Sequence, residues 1–245
     1  MFGYIYYPAP RFALEEIRVA GVPFLQVALP ERRGWRMRWL VRRAAKVLRR
    51  QGVHQAVFPE NFSGLELFTS RGILPASDLA LRRAVAVETL VSRLTEAGLD
   101  PRSSTVAVLA PAPTSTVGEL LRELSRKVRY LKLFAGGGGE ELAHELRWEA
   151  GVAMQVVELR DLCRGVHGAI LLQEPPEDLL CPDVSVALWE GSKGDLSAYF
   201  PLPHPAGDPA QDQLLGALFA AGRIKKEDFS PPARLTAGGK PSIMQ

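Results

Sequence analysis

The chain has 245 residues, 47% hydrophobic and 23% charged, with a formal net charge of +3. That profile permits a sizeable core and excludes global disorder. Its 22 Gly and 19 Pro follow no fixed period, which excludes collagen and repeat arrays. No apolar run approaches the roughly 18 residues of a membrane helix. The opening residues, Met1 to Pro8, lack the basic n-region of a signal peptide. With two cysteines and no export signal, the expected setting is a reducing cytoplasm without a membrane partner.

Residues 22–29 form an apolar run ending at Pro30, which predicts a buried strand. Residues 32–50 then hold eight Arg and one Lys and no acid, while the rest of the chain carries 21 bases and 27 acids. Leu40, Ala44, Val47 and Leu48 fall at helical spacing, with Arg42, Arg43, Lys46, Arg49 and Arg50 mostly opposite. Because strands flank it, the block reads as a crossover helix packed on a sheet. Leu40, Ala44 and Val47 are expected inside, Arg43 and Arg50 in solvent, and Trp35 and Trp39 in core or edge packing. A nucleic-acid or acidic-partner patch through 32–50, and an anionic-membrane surface, are the competing readings. The packing reading is preferred, so nucleic acid is not the expected partner.

A second strand is predicted over 53–58, stopped by Pro59, and an irregular connection over 60–76. Ser77 reads as an N-cap opening a helix that closes at Gly98. That helix is apolar on most sides, as a spine between two lobes would be. Strands are then expected at 105–109, 128–134, 152–157, 168–172 and 184–189. Helices are expected from a capping box at Thr116 and Glu119 to about 127, over 140–150 and over 212–221. Strand and helix alternating at this pace imply right-handed crossovers and a parallel sheet. The fold class is therefore α/β: a smaller N-terminal lobe over 1–76, a connecting helix over 77–98, a Rossmann-like doubly wound parallel sheet over 99–222, and a C-terminal tail over 223–245.

This order of elements, with the second lobe opening on Val106-Ala107-Val108-Leu109, resembles the Rossmann-fold amino-acid-dehydrogenase-like group. Shikimate dehydrogenase, methylenetetrahydrofolate dehydrogenase and glutamyl-tRNA reductase belong to it, and the resemblance covers about residues 75–190. It implies hydride transfer with a nicotinamide cofactor. The residues depart from the pattern at the glycine fingerprint, where this chain reads Ala110-Pro111-Ala112-Pro113-Thr114-Ser115-Thr116-Val117-Gly118. Pro111 and Pro113 offer a phosphate no N–H. Gly118 alone could match, as the last glycine of the motif. The strand that should end in a ribose-binding acid ends Leu133-Phe134-Ala135. NAD(P) is therefore disfavoured, and no cofactor is expected.

Other candidates are positional. Glu60 and Asn61 follow the second strand's carboxyl end, where open α/β sheets place ligands. Glu88 falls on the apolar face of the spine helix, as a functional carboxylate or a structural ion pair would. Thr114, Ser115 and Gly118 flank the fingerprint position, and Lys193 in Gly191-Ser192-Lys193-Gly194-Asp195 could meet an anion. Gly136-Gly137-Gly138-Gly139 leads into Glu140 and Glu141, which would repel a phosphate. Neither 191–195 nor Gly238-Gly239-Lys240-Pro241 has Walker spacing, and there is no G-x-S-x-G elbow. Cys163, His167, Cys181 and His204 lack zinc-site spacing, so no metal is expected. The expected function is a Rossmann-like protein with a degenerate dinucleotide site, taking a small ligand non-canonically or serving as a non-catalytic module. An NAD(P)-dependent oxidoreductase and a nucleic-acid binder are the alternatives.

Overall fold

The computed structural model of the chain describes residues 1–60, 62–192, 196–200 and 209–230. It divides into two compact units, Met1–Val85 with Glu190–Phe229, and Ala86–Trp189. The division falls inside the expected 77–98 helix, and the chain after Trp189 rejoins the first unit instead of completing the second lobe to 222. That helix is two, α3 (Leu79–Ala84) and α4 (Ala86–Glu96), broken at Val85. Its all-round apolarity has a different reason from a spine. Leu81 and Val85 belong to the first unit's core, while Leu90 and Leu94 lie against Gly168 of the second.

In the first unit, β1 (Phe2–Ala9), β2 (Ala13–Val19), β3 (Val22–Pro30), β4 (Gln55–Val57) and β5 (Leu74–Pro75) form one sheet in the order β2-β3-β1-β4-β5. β1 lies in the middle, parallel to β3 and β4. The sequence reading begins its strands at residue 22 and so leaves out both β1 and β2, and Pro8 near the end of β1 cannot donate to a ladder. The ladder accommodates Pro8 where its register shifts, between Tyr6 and Ala9. β2 is antiparallel to β3, joined by the two-residue turn Ala20-Gly21, both at positive φ as a tight hairpin requires. On one face, Ile5, Leu25, Val27 and Leu29 pack with Val41, Ala44, Ala45 and Leu48 of α1 (Trp35–Arg50) and Phe68 of α2 (Leu65–Thr69). On the other, Tyr4 and Phe24 pack with Leu81, with Tyr199 and Phe200, and with Leu214, Leu215 and Leu218 of α7 (Gln211–Ala220).

The second unit runs α4, β6 (Thr105–Leu109), α5 (Ser115–Ser125), β7 (Tyr130–Phe134), α6 (Gly139–Ala150), β8 (Met154–Val156), β9 (Gly168–Leu171) and β10 (Ser185–Ala187). All five strands are parallel, in the order β10-β9-β6-β7-β8. Counting from β6 this is 3-2-1-4-5, the Rossmann order with its switch point between β6 and β9. The α/β, Rossmann-like class expected from the sequence is what the chain has. Gly168 meets α4, and Gly139 of α6 meets Leu133, the register partner of Val108, so these helices share one face. Ala107, Leu109, Ala169 and Leu171 point the other way. There they pack beneath irregular segments carrying Leu159, Leu162, Cys163, Leu179 and Cys181. Among the described residues, no helix is long and apolar enough to cross a membrane.

Candidate functional site

The switch-point loop of the second unit leads straight into α5. The N-cap of α5 is Thr114, whose side chain accepts a hydrogen bond from Val117 N–H at 3.4 Å. The cap therefore lies two residues before the expected Thr116, and one of the helix's free N–H groups is already taken. In a dinucleotide turn the last glycine lets helix and strand approach closely. A Cβ on Gly118 would instead meet Arg122 Nη1 at 3.4 Å and Leu142 Cδ1 at 3.5 Å, ordinary contacts with other helical side chains. Thr114, Ser115 and Gly118 do come together. With Gly138, Arg122, Glu141 and Glu145 they line a pocket of about 480 Å³. Arg122 is engaged there by Glu145 at 3.5 Å and Glu149 at 2.7 Å.

The other positional candidates are not gathered with these. Glu60 is exposed at the carboxyl end of β4 in the first unit. Asn61 and Lys193 lie outside the described residues, as do His204 and the Gly238 segment. Glu88 is half-buried in α4, its Oε2 shielded from solvent. Sequence reasoning passed over Arg82, which is only 5% exposed. Its Nε lies 3.0 Å from Asp78 Oδ2, and Nη1 and Nη2 donate to the Ser192 hydroxyl and carbonyl at 2.7 and 2.9 Å. Burial pushes the Asp78 carboxyl above its ordinary value, and the Arg82 charge pulls it partly back. The guanidinium thus fastens the returning chain at Ser192 to α3, a structural task.

The basic block gives the most developed surface. α1 buries Val41, Ala44, Ala45 and Leu48, the i, i+3, i+4, i+7 stripe, while Leu40 and Val47 are only half-buried. The buried stripe is turned by roughly 80° from the expected Leu40–Ala44–Val47 stripe, and both tryptophans lie on the side away from it. Trp35 is 72% and Trp39 53% exposed, so neither is core or edge packing. At 100° per residue, Arg36, Arg38, Arg42, Arg43, Lys46, Arg49, Arg50 and the two tryptophans fill a continuous arc of about 160°, with the indoles near its centre. Arg36 lies over the Trp35 ring at 5.6 Å and Arg43 over Trp39 at 5.5 Å and Phe12 at 4.8 Å. Arg49 also hydrogen-bonds His54.

The cysteines hold a second arrangement that spacing could not reveal. Cys163 Sγ donates to Cys181 Sγ across 3.8 Å, although 18 residues separate them. Burial and the neighbouring Cys181 push the Cys163 thiol up to about 12. Cys163 lines a cavity of about 660 Å³ with Glu158, Arg160, Arg164, Asp178 and Leu180. His167 is not beside them in function: its Nδ1 accepts from Thr105 N–H at 2.9 Å. Among the described residues, no group of three or more His, Cys, Asp or Glu is placed to hold a metal.

No family model matches the chain, and no curated protein matches it. Among solved structures it is similar to L-tryptophan dehydrogenase from Nostoc punctiforme, at 14% identity and a TM-score of 0.36, over 77% of this chain and 62% of that one. It is also similar to two variants of N-acetyl-L-ornithine transcarbamylase, one complexed with PALAO and the other with carbamyl phosphate and N-succinyl-L-norvaline. Those share 14% and 13% identity, TM-scores of 0.27 and 0.26, and 69% of this chain with 63% of theirs. The chain thus spans under two thirds of the structures it resembles, and likenesses this slight carry nothing about activity.

Proposed function

We propose that the chain binds single-stranded nucleic acid through the exposed face of α1. The observation that carries this reading is the acid-free arc of six Arg and one Lys with Trp35 and Trp39 open to solvent at its centre. Exposure of the indoles removes the reason for assigning the block to packing alone. Arg guanidinium planes pair bidentately with phosphate and stack on bases, and exposed indoles give a base a π-face. An unstacked strand fits such indoles better than a duplex, whose base faces are covered. A membrane fits less well, because an interfacial helix sinks an apolar face into lipid. The apolar face of α1 is already occupied by the sheet.

The test is fluorescence anisotropy with labelled random-sequence single strands, the matching duplex, and vesicles of neutral lipid with and without anionic lipid. For about five neutralised phosphates, the log–log salt slope should be roughly −3.5, at about −0.7 per phosphate on a single strand. Arg42→Glu with Lys46→Glu and Arg49→Glu should abolish binding without unfolding the chain. Preference for anionic vesicles over the single strand, or binding unaffected by that triple reversal, would overturn the proposal.

A second reading has its own observation, the pocket shared by Thr114, Ser115, Gly118 and Gly138. Its carboxylates Glu141 and Glu145 would repel a pyrophosphate, and Pro111 and Pro113 offer it no N–H. This reading assigns the pocket a small polar or cationic ligand in place of NAD(P). Calorimetric titration should give no measurable heat for NAD(H) or NADP(H), and a micromolar constant for either would overturn it.

A further inference from the structure

We propose that Cys163 and Cys181 form a reversible intramolecular disulfide by exchange with a small-molecule disulfide such as oxidised glutathione. Three observations carry the inference. The two sulfurs already touch at 3.8 Å. Neither residue is fully buried, and Cys163, whose sulfur touches Cys181, forms part of the wall of the 660 Å³ cavity, so a small disulfide can approach the pair. Both also sit on irregular chain, Cys163 just after the 3-10 turn Leu159–Asp161 and Cys181 four residues before β10. Closing to a bonded separation of about 2.05 Å therefore asks movement of loops and not of the sheet.

The exchange balances without any other reactant. The Cys181 thiolate, its proton lost to solvent, attacks one sulfur of the disulfide and expels a glutathione thiolate, which takes up a proton. The Cys163 sulfur then attacks Cys181 Sγ, expelling the second glutathione, which takes the proton that Cys163 gives up. Two protein thiols and one small disulfide become one protein disulfide and two small thiols. Cys181 acts first because the Cys163 thiol is held protonated at neutral pH. The product fastens the segment around Cys163 to the segment around Cys181 over Ala107, Leu109, Ala169 and Leu171, the sheet face that α4 and α6 leave to loops.

The experiment equilibrates the full chain with mixtures of reduced and oxidised glutathione, quenches with acid, and weighs the intact protein and its peptides. The expected product is a monomer lighter by two hydrogens, with the Cys163 and Cys181 peptides joined. It should form at an oxidised-to-reduced ratio at least tenfold lower than in denaturant, because the fold holds the pair together. Cys163→Ser should stop at one glutathione on Cys181. Two glutathiones per chain, a disulfide-linked dimer, unreacted thiols, or no preference over the denatured chain would each overturn the proposal. So would a Cys163→Ser chain that takes up no glutathione at Cys181.

Discussion

Replacing Gly216 and Gly118 by alanine makes the same chemical change in two buried helix interiors, and the structure requires opposite outcomes. In an exposed helix interior, alanine is favoured over glycine by about 1 kcal/mol. In α7, the Cβ of Gly216→Ala would fall 2.6 Å from the Ser77 carbonyl carbon and 2.8 Å from Asp78 N, and closer still to the Ser77 oxygen. These are backbone atoms at the start of α3, so they cannot rotate away, and α7 must lift by about 1 Å from a core that includes Leu214, Leu215 and Leu218. Overpacking of this kind costs about 1–3 kcal/mol and occasionally more, and with backbone atoms this close the upper end applies, which after the propensity gain leaves a net loss of about 1–2 kcal/mol. In α5, the Cβ of Gly118→Ala would meet only Arg122 Nη1 and Leu142 Cδ1, at 3.4 and 3.5 Å. There the propensity gain survives, at about 0.5–1 kcal/mol. Equilibrium denaturation followed by circular dichroism measures both. A Gly216→Ala chain as stable as wild type would refute the steric argument. A Gly118→Ala chain weakened by more than about 1 kcal/mol would show that α5 needs its glycine for close packing after all.

In α1, Leu48→Ala should lower stability by about 2–5 kcal/mol, since Leu48 is fully buried. Trp39→Ala should leave stability almost unchanged while weakening single-strand binding by about 1–3 kcal/mol, read by denaturation and anisotropy together. The reverse pattern would place the indole in the core. For Asp78, a folded-state pKa above 3.8 means that the native chain holds the proton more tightly than the unfolded one. Its contribution is therefore full below pH 3.8 and lost as pH rises through the raised value. The stability of wild type relative to Asp78→Asn should accordingly fall across that window in denaturation midpoints, and a flat or rising difference would contradict the burial effect. Finally, with its thiol pushed up by burial and by Cys181, Cys163 should react with iodoacetamide at pH 8 more slowly in the native than in the denatured chain. Peptide mass analysis of timed quenches follows this, and equal rates would show the thiol to be unshielded.

The sequence by itself determined the strands of the second unit and the helices α5 and α6, because each carries its own period and its own breakers. Segments 105–109, 128–134 and 140–150 need no distant partner to be legible, and β6, β7 and α6 stand within them or one residue off. Pro111 and Pro113 likewise lack an N–H in any fold, so the loss of those two donors is legible from covalent structure alone. Tertiary structure decided what depends on which neighbour arrives. In α1, apolar residues at 40, 41, 44, 45, 47 and 48 supply two overlapping stripes one residue apart. Only the sheet beneath selects Val41–Ala44–Ala45–Leu48, and Trp35 and Trp39 lie on the opposite side of the helix, in solvent. The placing of β1 between β3 and β4, the return of α7 to the first unit, and the meeting of Cys163 with Cys181 are contacts between residues far apart in sequence. Local periodicity holds no record of such contacts, because the free energy that fixes them resides in surfaces the chain creates only on folding.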